Sequence, residues 1–386
     1  EGLRALGVAV KPAGDQTVFG HDDEQDLTFA GFVTFLDPPE PEAGDAVRAL
    51  AADGVRVVIL TGDNELVAAK VCRDIGIEPG RVVLGKEIDA LDELALGTVA
   101  ERTTVFARVA PEQKNRVIRA LQRRGHVVGY LGDGVNDAPS LHSADVGISV
   151  ADATEVARES ADLILLRHDL RVLHDGVMEG RKSFGNVMKY ILMGTSSAFG
   201  NMFSMAGATV FLPFLPMLPL QVLLNNLLYE ASQVTLPTDA VDPMYVRKPK
   251  HWDIGFIQRF MVLLGPISSI FDFLTFYVLL HVFDAAEQEF HTGWFVESLA
   301  TQTLVIYVIR TSGNPLRSRP SRALLASTLG CLALGVLLTL GPLRGTLGFV
   351  RLPPGIYLFV LGVVAVYLTL VEFAKRRVYR RFLTTP

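Results

Sequence analysis

Residues 132–140 read Gly132-Asp133-Gly134-Val135-Asn136-Asp137-Ala138-Pro139-Ser140 and follow an apolar run over 126–131. Such a run predicts a short strand that opens directly into a turn of small residues. Asp133 and Asp137 stand four apart on that turn. They are hard oxygen donors of the kind Mg2+ takes. Small residues interleaved with two carboxylates favour a metal-bearing turn over a plain connection.

The same alternation continues upstream. Residues 31–36, 55–60, 104–106 and 145–150 read as strands, and 42–52, 64–75 and 111–124 as helices. Pro111 suits the first turn of the last of these. Strands alternating with helices predict an α/β fold, a Rossmann-like parallel sheet covered by helices on both faces. On such a sheet, ligands bind beyond the carboxyl ends of the strands.

Two more groups fall at those ends. Thr61-Gly62-Asp63 follows the strand over 55–60. A hydroxyl and a glycine backbone N–H at a helix start make a phosphate seat. Alone, the tripeptide reads equally as a strand–helix turn with Asp63 as N-cap. Lys114 sits in the first turns of the helix over 111–124. By itself it reads as a solvated helix residue. Together with the aspartate turn, the three groups outline a phosphoryl-transfer site of hydroxyl clamp, lysine and metal carboxylates.

Beyond residue 180 the composition changes. Six apolar stretches cover about 191–212, 219–237, 260–283, 293–309, 323–341 and 355–373. Each approaches the ~20 residues needed to cross a bilayer. The second and fourth each carry a glutamate. Arg181, Lys182 and Lys189 precede the first stretch, and Arg247, Lys248, Lys250 and Arg259 lie between the second and third. Arg310, Arg317, Arg319 and Arg322 lie between the fourth and fifth, and Lys375, Arg376, Arg377, Arg380 and Arg381 follow the sixth. The opposite loops hold only Arg344 and Arg351. The positive-inside rule then puts the first domain and both termini in the cytoplasm of a multi-pass protein of the cell membrane.

The bulk numbers exclude other classes. A net charge of -5 over 386 residues gives no basic footprint for a nucleic acid. Two cysteines, Cys72 and Cys331, fall in different regimes and leave neither a disulfide nor a thiolate metal site.

Asp37-Pro38-Pro39, Thr61-Gly62-Asp63-Asn64, Pro111-Glu112-Gln113-Lys114 and residues 132–140 resemble the motifs of P-type ATPases, within the haloacid-dehalogenase superfamily. The resemblance runs the length of the chain. It implies a phosphorylation domain over 31–180, preceded by a tail of the nucleotide domain over 1–30 and followed by a transmembrane domain over 181–386. It implies catalytic roles for Thr61, Gly62, Asp63, Lys114 and Asn136, and catalytic Mg2+ on Asp133 and Asp137. Asp37, Thr61 and Gly62 would meet the nucleotide-derived phosphoryl group of ATP. The family's nucleophile lies in an Asp-Lys-Thr-Gly-Thr run, which these residues lack. The chain alone is therefore expected to form no phosphoenzyme and to be inactive.

Polar groups inside a span are functional candidates. Asn201 lies in the first stretch; Asn225, Asn226 and Glu230 lie in the second. Asn226 and Glu230 share a helix face, and with Asn201 they could complete an oxygen cage for a hard cation; the alternative is an interhelical amide contact that serves only packing. Residues 211–219, 226–233, 265–272 and 293–299 resemble the bacterial Mg2+-importing P-type ATPases. The resemblance implies Asn201, Asn226 and Glu230 as ligands of transported Mg2+. That family usually has Asp in place of Glu230 and Asn in place of Ala198. A pump for another hard cation such as Ca2+, and a non-pumping membrane protein, stay open as alternatives. Asp239 and Asp242 are expected to cap a loop, with an ion antechamber as the alternative, Asp272 to face the bundle or pair with His281, and Glu297 and Gln302 to bond between helices.

Overall fold

The computed structural model describes residues 4–14, 17–35, 38–167 and 169–383. It divides into two compact units, Glu1–Val177 and Met178–Pro386.

The first unit begins with a hairpin. Strand β1 (Arg4–Val10) pairs antiparallel with β2 (Thr28–Phe35). Residues 31–36 were expected in the parallel sheet; their run is claimed instead by β1, whose Leu6, Val8 and Val10 alternate as a strand does. Helix α1 (Ala43–Ala52) buries Ala43, Ala46 and Leu50, one face of a 3.6-residue period. Then come β3 (Ile59–Leu60), α2 (Glu65–Asp74), β4 (Val82–Leu84), α3 (Gly85–Asp89) and α4 (Glu93–Ala100). Next are β5 (Val105–Ala107), α5 (Pro111–Arg123), β6 (Gly129–Leu131), α6 (Ala138–Ser143), β7 (Val146–Val150), α7 (Glu155–Glu159) and β8 (Leu163–Leu165).

The parallel strands form two ladders, in orders β3-β5-β4 and β6-β7-β8. A single continuous sheet was the expectation. Only the last two residues of the run 55–60 and the last three of 126–131 enter a ladder. Leu60 and Val128 pack into shared apolar clusters, so side chains rather than strand pairing join the two pieces. The central strand β5 is wholly buried, as a strand covered on both faces must be. Phe106 packs there among Ile88, Leu96, Val117 and Leu121 of α3, α4 and α5. Each such side chain stabilises the fold by roughly 1.5–3 kcal/mol.

The second unit is helical: α8 (Leu170–Ala208), α9 (Pro219–Gln233), α10 (Pro243–Val246), α11 (Ile254–His281), α12 (Glu287–Leu304), α13 (Ile306–Ile309), α14 (Arg322–Leu340) and α15 (Pro354–Leu383). Among the described residues, three helices are long and apolar enough to cross a membrane: Ile254–His281, Arg322–Leu340 and Pro354–Arg377. The remaining expected stretches differ from their outlines. Helix α9 has 15 residues, about 22 Å at 1.5 Å per residue, against ~30 Å of hydrocarbon. Helix α12 starts six residues before the expected 293, because Glu289 accepts the Ala286 N–H at 3.1 Å and caps it.

Small residues let these helices approach closely. A Cβ at Gly200 of α8 would stand 3.0 Å from the Gly265 carbonyl oxygen of α11. Ser269 of α11 donates to the Gly200 carbonyl at 2.9 Å across the same crossing.

Candidate functional site

Strand β3 delivers Thr61-Gly62-Asp63 at its carboxyl end. The N-cap of α2 is Asn64, whose Oδ1 accepts the N–H groups of Leu66 and Val67, both at 3.0 Å. Asp63 is thus not the cap. Its N–H donates to Thr61 Oγ1 at 3.1 Å, and the Thr61 hydroxyl lies 3.3 Å from Asp63 Oδ2. Thr61 is half-buried and Gly62 exposed, so the turn opens outward.

The segment after β5 clasps this turn. Arg108 N–H donates to the Asp63 carbonyl at 2.8 Å and Val109 N–H to the Thr61 carbonyl at 3.0 Å. Arg108 takes φ 52 to make that reach, and its guanidinium bonds Glu65 at 2.9 Å. A non-glycine residue held there costs about 1–3 kcal/mol. The clasp leads straight into Pro111 at the start of α5, which carries Lys114.

Lys114 Nζ donates to Asp137 Oδ1 at 2.8 Å, with both side chains largely buried. Tyr130 OH donates to the same oxygen at 2.6 Å, and the Gly134 N–H reaches Oδ2 at 3.3 Å. Burial pulls the Asp137 carboxyl upward, but Lys114, Tyr130 and the Gly134 amide outweigh it and hold it below the ordinary carboxylate range. Burial, and then the bond to Asp137, pushes the Tyr130 phenol up. The turn has no room at Gly132, where a Cβ would meet the Asp137 Cβ at 2.7 Å. Asp133 is exposed, and its carbonyl is pinned by the Thr154 N–H at 3.0 Å. Asn136 is exposed beside it. Asn115 of α5 bonds the Pro139 carbonyl at 3.1 Å and Ser143 at 2.7 Å, locking α5 against α6.

The structure therefore ties Lys114 directly to Asp137, and Thr61 to the chain that opens the helix of Lys114. Asp37 lies outside the described residues. No group of three or more His, Cys, Asp or Glu is arranged as a metal cluster among the described residues. The sequence reading passed over Tyr130 and Asn115. Tyr130 had a signal: a tyrosine in a buried strand must find a partner for its hydroxyl.

In the helical unit no hydrogen bond joins the three expected cage residues to one another among the described residues. Asn201 is half-buried, and Gln302 Nε2 approaches its Oδ1 at 3.4 Å. Asn226 and Glu230 are exposed. The buried face of α9 is Gln221, Asn225, Leu228, Tyr229 and Ser232, and one residue of helix rotation turns Asn226 off it. Glu230 accepts a hydrogen bond from Tyr190 of α8 at 3.0 Å. Asn225 faces inward instead, donating to Ser298 Oγ at 3.2 Å; Gln302 donates to the same oxygen at 2.5 Å. Asn225, Ser298, Gln302 and Asn201 thus form an inward chain of amides and one hydroxyl.

Other polar residues resolve differently from expectation. Asp239 is no loop cap: buried, it accepts Lys189 Nζ at 2.8 Å, Arg310 Nε and Nη2 at 3.0 Å each, and the Ser321 N–H at 3.2 Å. Asp242 does brace the loop, through Thr311 and Ser312. Asp272 faces the bundle, while His281 lies against Tyr277 with ring centroids 4.8 Å apart.

Residues 2–145 match the family of haloacid dehalogenase-like hydrolases, and residues 214–377 match the C-terminus of cation transporting ATPases. The magnesium-transporting ATPase, P-type 1, of Salmonella typhimurium is 47% identical over 389 residues, covering 99% of this chain and 43% of that protein. The protein of the same name from Escherichia coli K12 is 46% identical over the same shares. A calcium-transporting ATPase of Bacillus subtilis is more distant, 29% identical over 95% of the chain. The chain thus spans less than half the length of the curated relatives it matches.

Proposed function

The chain belongs to the P-type cation-transporting ATPases, and on that premise we propose that it supplies the phosphate-handling unit and the last membrane helices of a pump carrying Mg2+ into the cytoplasm. The observation that carries this reading is the Lys114–Asp137 pair at 2.8 Å, poised on the turn that follows β6. A phosphoryl group passing through a loose transition state spreads negative charge over its oxygens, and fixed cations and donors stabilise that charge. Lys114 is such a cation. Asp137 holds it in one place, and Tyr130 keeps Asp137 in line. The Thr61 hydroxyl and the exposed Gly62 backbone orient the phosphoryl oxygens.

Asp133 fits a catalytic Mg2+: it is an exposed hard carboxylate on a turn pinned by Thr154. Asp137 already accepts three donors, so its further share in the metal is one remaining lone pair. When bound, the ion neutralises phosphoryl charge alongside Lys114. ATP and the aspartyl nucleophile belong to the complete pump. These 386 residues hold no Asp-Lys-Thr-Gly-Thr run, and purified alone they are expected to take up no acid-stable label from radioactive ATP. For the transported ion, Asn201, Asn226 and Glu230 remain the proposed ligands, with the exposed pair meeting oxygens from beyond these residues.

The test is Lys114→Ala in the complete pump. Loss of a fixed transition-state cation lowers ATP turnover about 10²–10³-fold. A turnover rate like that of the unaltered pump would reject the assigned role. ATP turnover needs catalytic Mg2+ in either case, so uptake of labelled Mg2+ rather than labelled Ca2+ into vesicles holding the complete pump separates the two hard-cation readings.

A further inference from the structure

Two carboxyl groups meet in the interior of the helical unit. Asp272 of α11 accepts Ser204 Oγ of α8 at 2.6 Å on Oδ2 and Trp294 Nε1 of α12 at 2.8 Å on Oδ1. Glu297 lies one helical turn after Trp294, is 0% exposed, and adjoins Asp272 within hydrogen-bond reach. As an ionised group Glu297 finds no donor: both its carboxylate oxygens are buried without a partner. Two ionised carboxylates cannot bond to one another, because each only accepts. One proton resolves the arrangement. With the proton on Glu297, its O–H donates to Asp272, and Asp272 keeps its two donors.

Among the described residues no cation stands with the groups that touch the pair. Tyr367 of α15 is the titratable side chain within electrostatic reach of both carboxyls, with Tyr229 of α9 behind it. Thr275, one turn along α11 from Asp272, is buried with its hydroxyl unpartnered. None of these supplies the positive charge that an unprotonated pair needs.

We propose that Asp272 and Glu297 form an intramembrane proton-binding site, in which a single proton carried by Glu297 is shared with ionised Asp272. The site lies apart from Asn201, Asn226 and Glu230 and does not rest on the assignment of the transported ion. Its hydrogen bond fastens α11 to α12, while Ser204 fastens α8 to the same carboxylate.

Infrared spectroscopy of the purified chain in lipid nanodiscs at neutral pH tests it. The carbonyl stretch of one buried protonated carboxyl is expected, shifted by 13C labelling of glutamate and unmoved by labelling of aspartate. In Glu297→Gln, whose amide N–H can donate to Asp272 in place of the O–H, the band disappears while the protein stays folded. The isotope arm stands even if the variant does not fold. No protonated carboxyl band in the unaltered chain, or one that shifts with aspartate labelling, overturns the proposal. So does a band that Mg2+ abolishes and a chelator restores, since the pair would then be a metal site.

Discussion

At the scale of the residue, Asp137 shows how much one carboxylate can organise. Its two oxygens gather a lysine, a phenol and a backbone amide. Because its folded pKa is depressed, its stabilisation is present above the unfolded value of about 3.9 and is lost as pH falls through the folded value. The stability gap between the unaltered chain and Asp137→Asn is therefore expected to be widest at neutral pH and to close below about pH 4. Thermal melts followed by circular dichroism across that range measure it, and a gap that stays constant contradicts the assignment. Tyr130→Phe removes only the hydroxyl, and a hydrogen bond to a charged group contributes about 1.5–3 kcal/mol. A loss of that size in denaturant unfolding is expected. The turn that carries Asp137 was legible in the sequence from its small residues and paired carboxylates, whereas Lys114 alone read as a solvated helix residue and stood out only beside that turn and through the family resemblance. Tyr130 was not, because nothing in a lone strand tyrosine says which neighbour its hydroxyl will meet.

At the scale of the element, helix register decided what the sequence left open. Most strands and helices of the first unit end within a few residues of the expected bounds, since alternating apolar periods and turn residues fix them locally. The hairpin partner of residues 31–36 and the break between the two ladders depend on distant pairing, which no local window contains. In the second unit, hydropathy marks where helices lie but is nearly silent on which side of an apolar helix faces inward. That is why Asn225 rather than Asn226 proved buried. The same silence hid Asp239, which reads as one acidic residue after a span and turns out to join α8, the end of α13 and the start of α14. Lys375 was counted among loop charges, yet it is buried and donates to the carbonyls of Val308, Thr311 and Gly313 at 3.0–3.1 Å, closing the end of α13. Asp239→Ala would strand Lys189 and Arg310 without their anion, a loss of about 3–5 kcal/mol for a buried pair. The thermal midpoint should fall accordingly. Restoring a carboxylate as Asp239→Glu should recover part of it, and equal losses for both variants would mean that packing, not charge, is what Asp239 provides.

At the scale of the whole molecule, the exposed face of α9 carries the largest consequence. Asn226 and Glu230 stand on it, and among the described residues the Tyr190 hydroxyl donates to Glu230 at 3.0 Å. A small divalent cation demands near-octahedral oxygen geometry and gives up its water reluctantly. An exposed carboxylate with one phenol beside it offers neither the ligand number nor the dehydration that would hold such an ion. The relatives are more than twice as long as this chain, which covers 43% of each. Two measurements should therefore part company. In calorimetric titration of the purified chain with Mg2+, Glu230→Ala is expected to change nothing, because no cage exists there to lose. In the complete pump, the same substitution is expected to abolish Mg2+-dependent growth of a strain lacking its own Mg2+ transporters. If the purified chain already binds Mg2+ tightly and loses that binding with Glu230, α9 must rotate in solution to bury the carboxylate. If the complete pump still supports growth, the ion passes by a route that does not use this face.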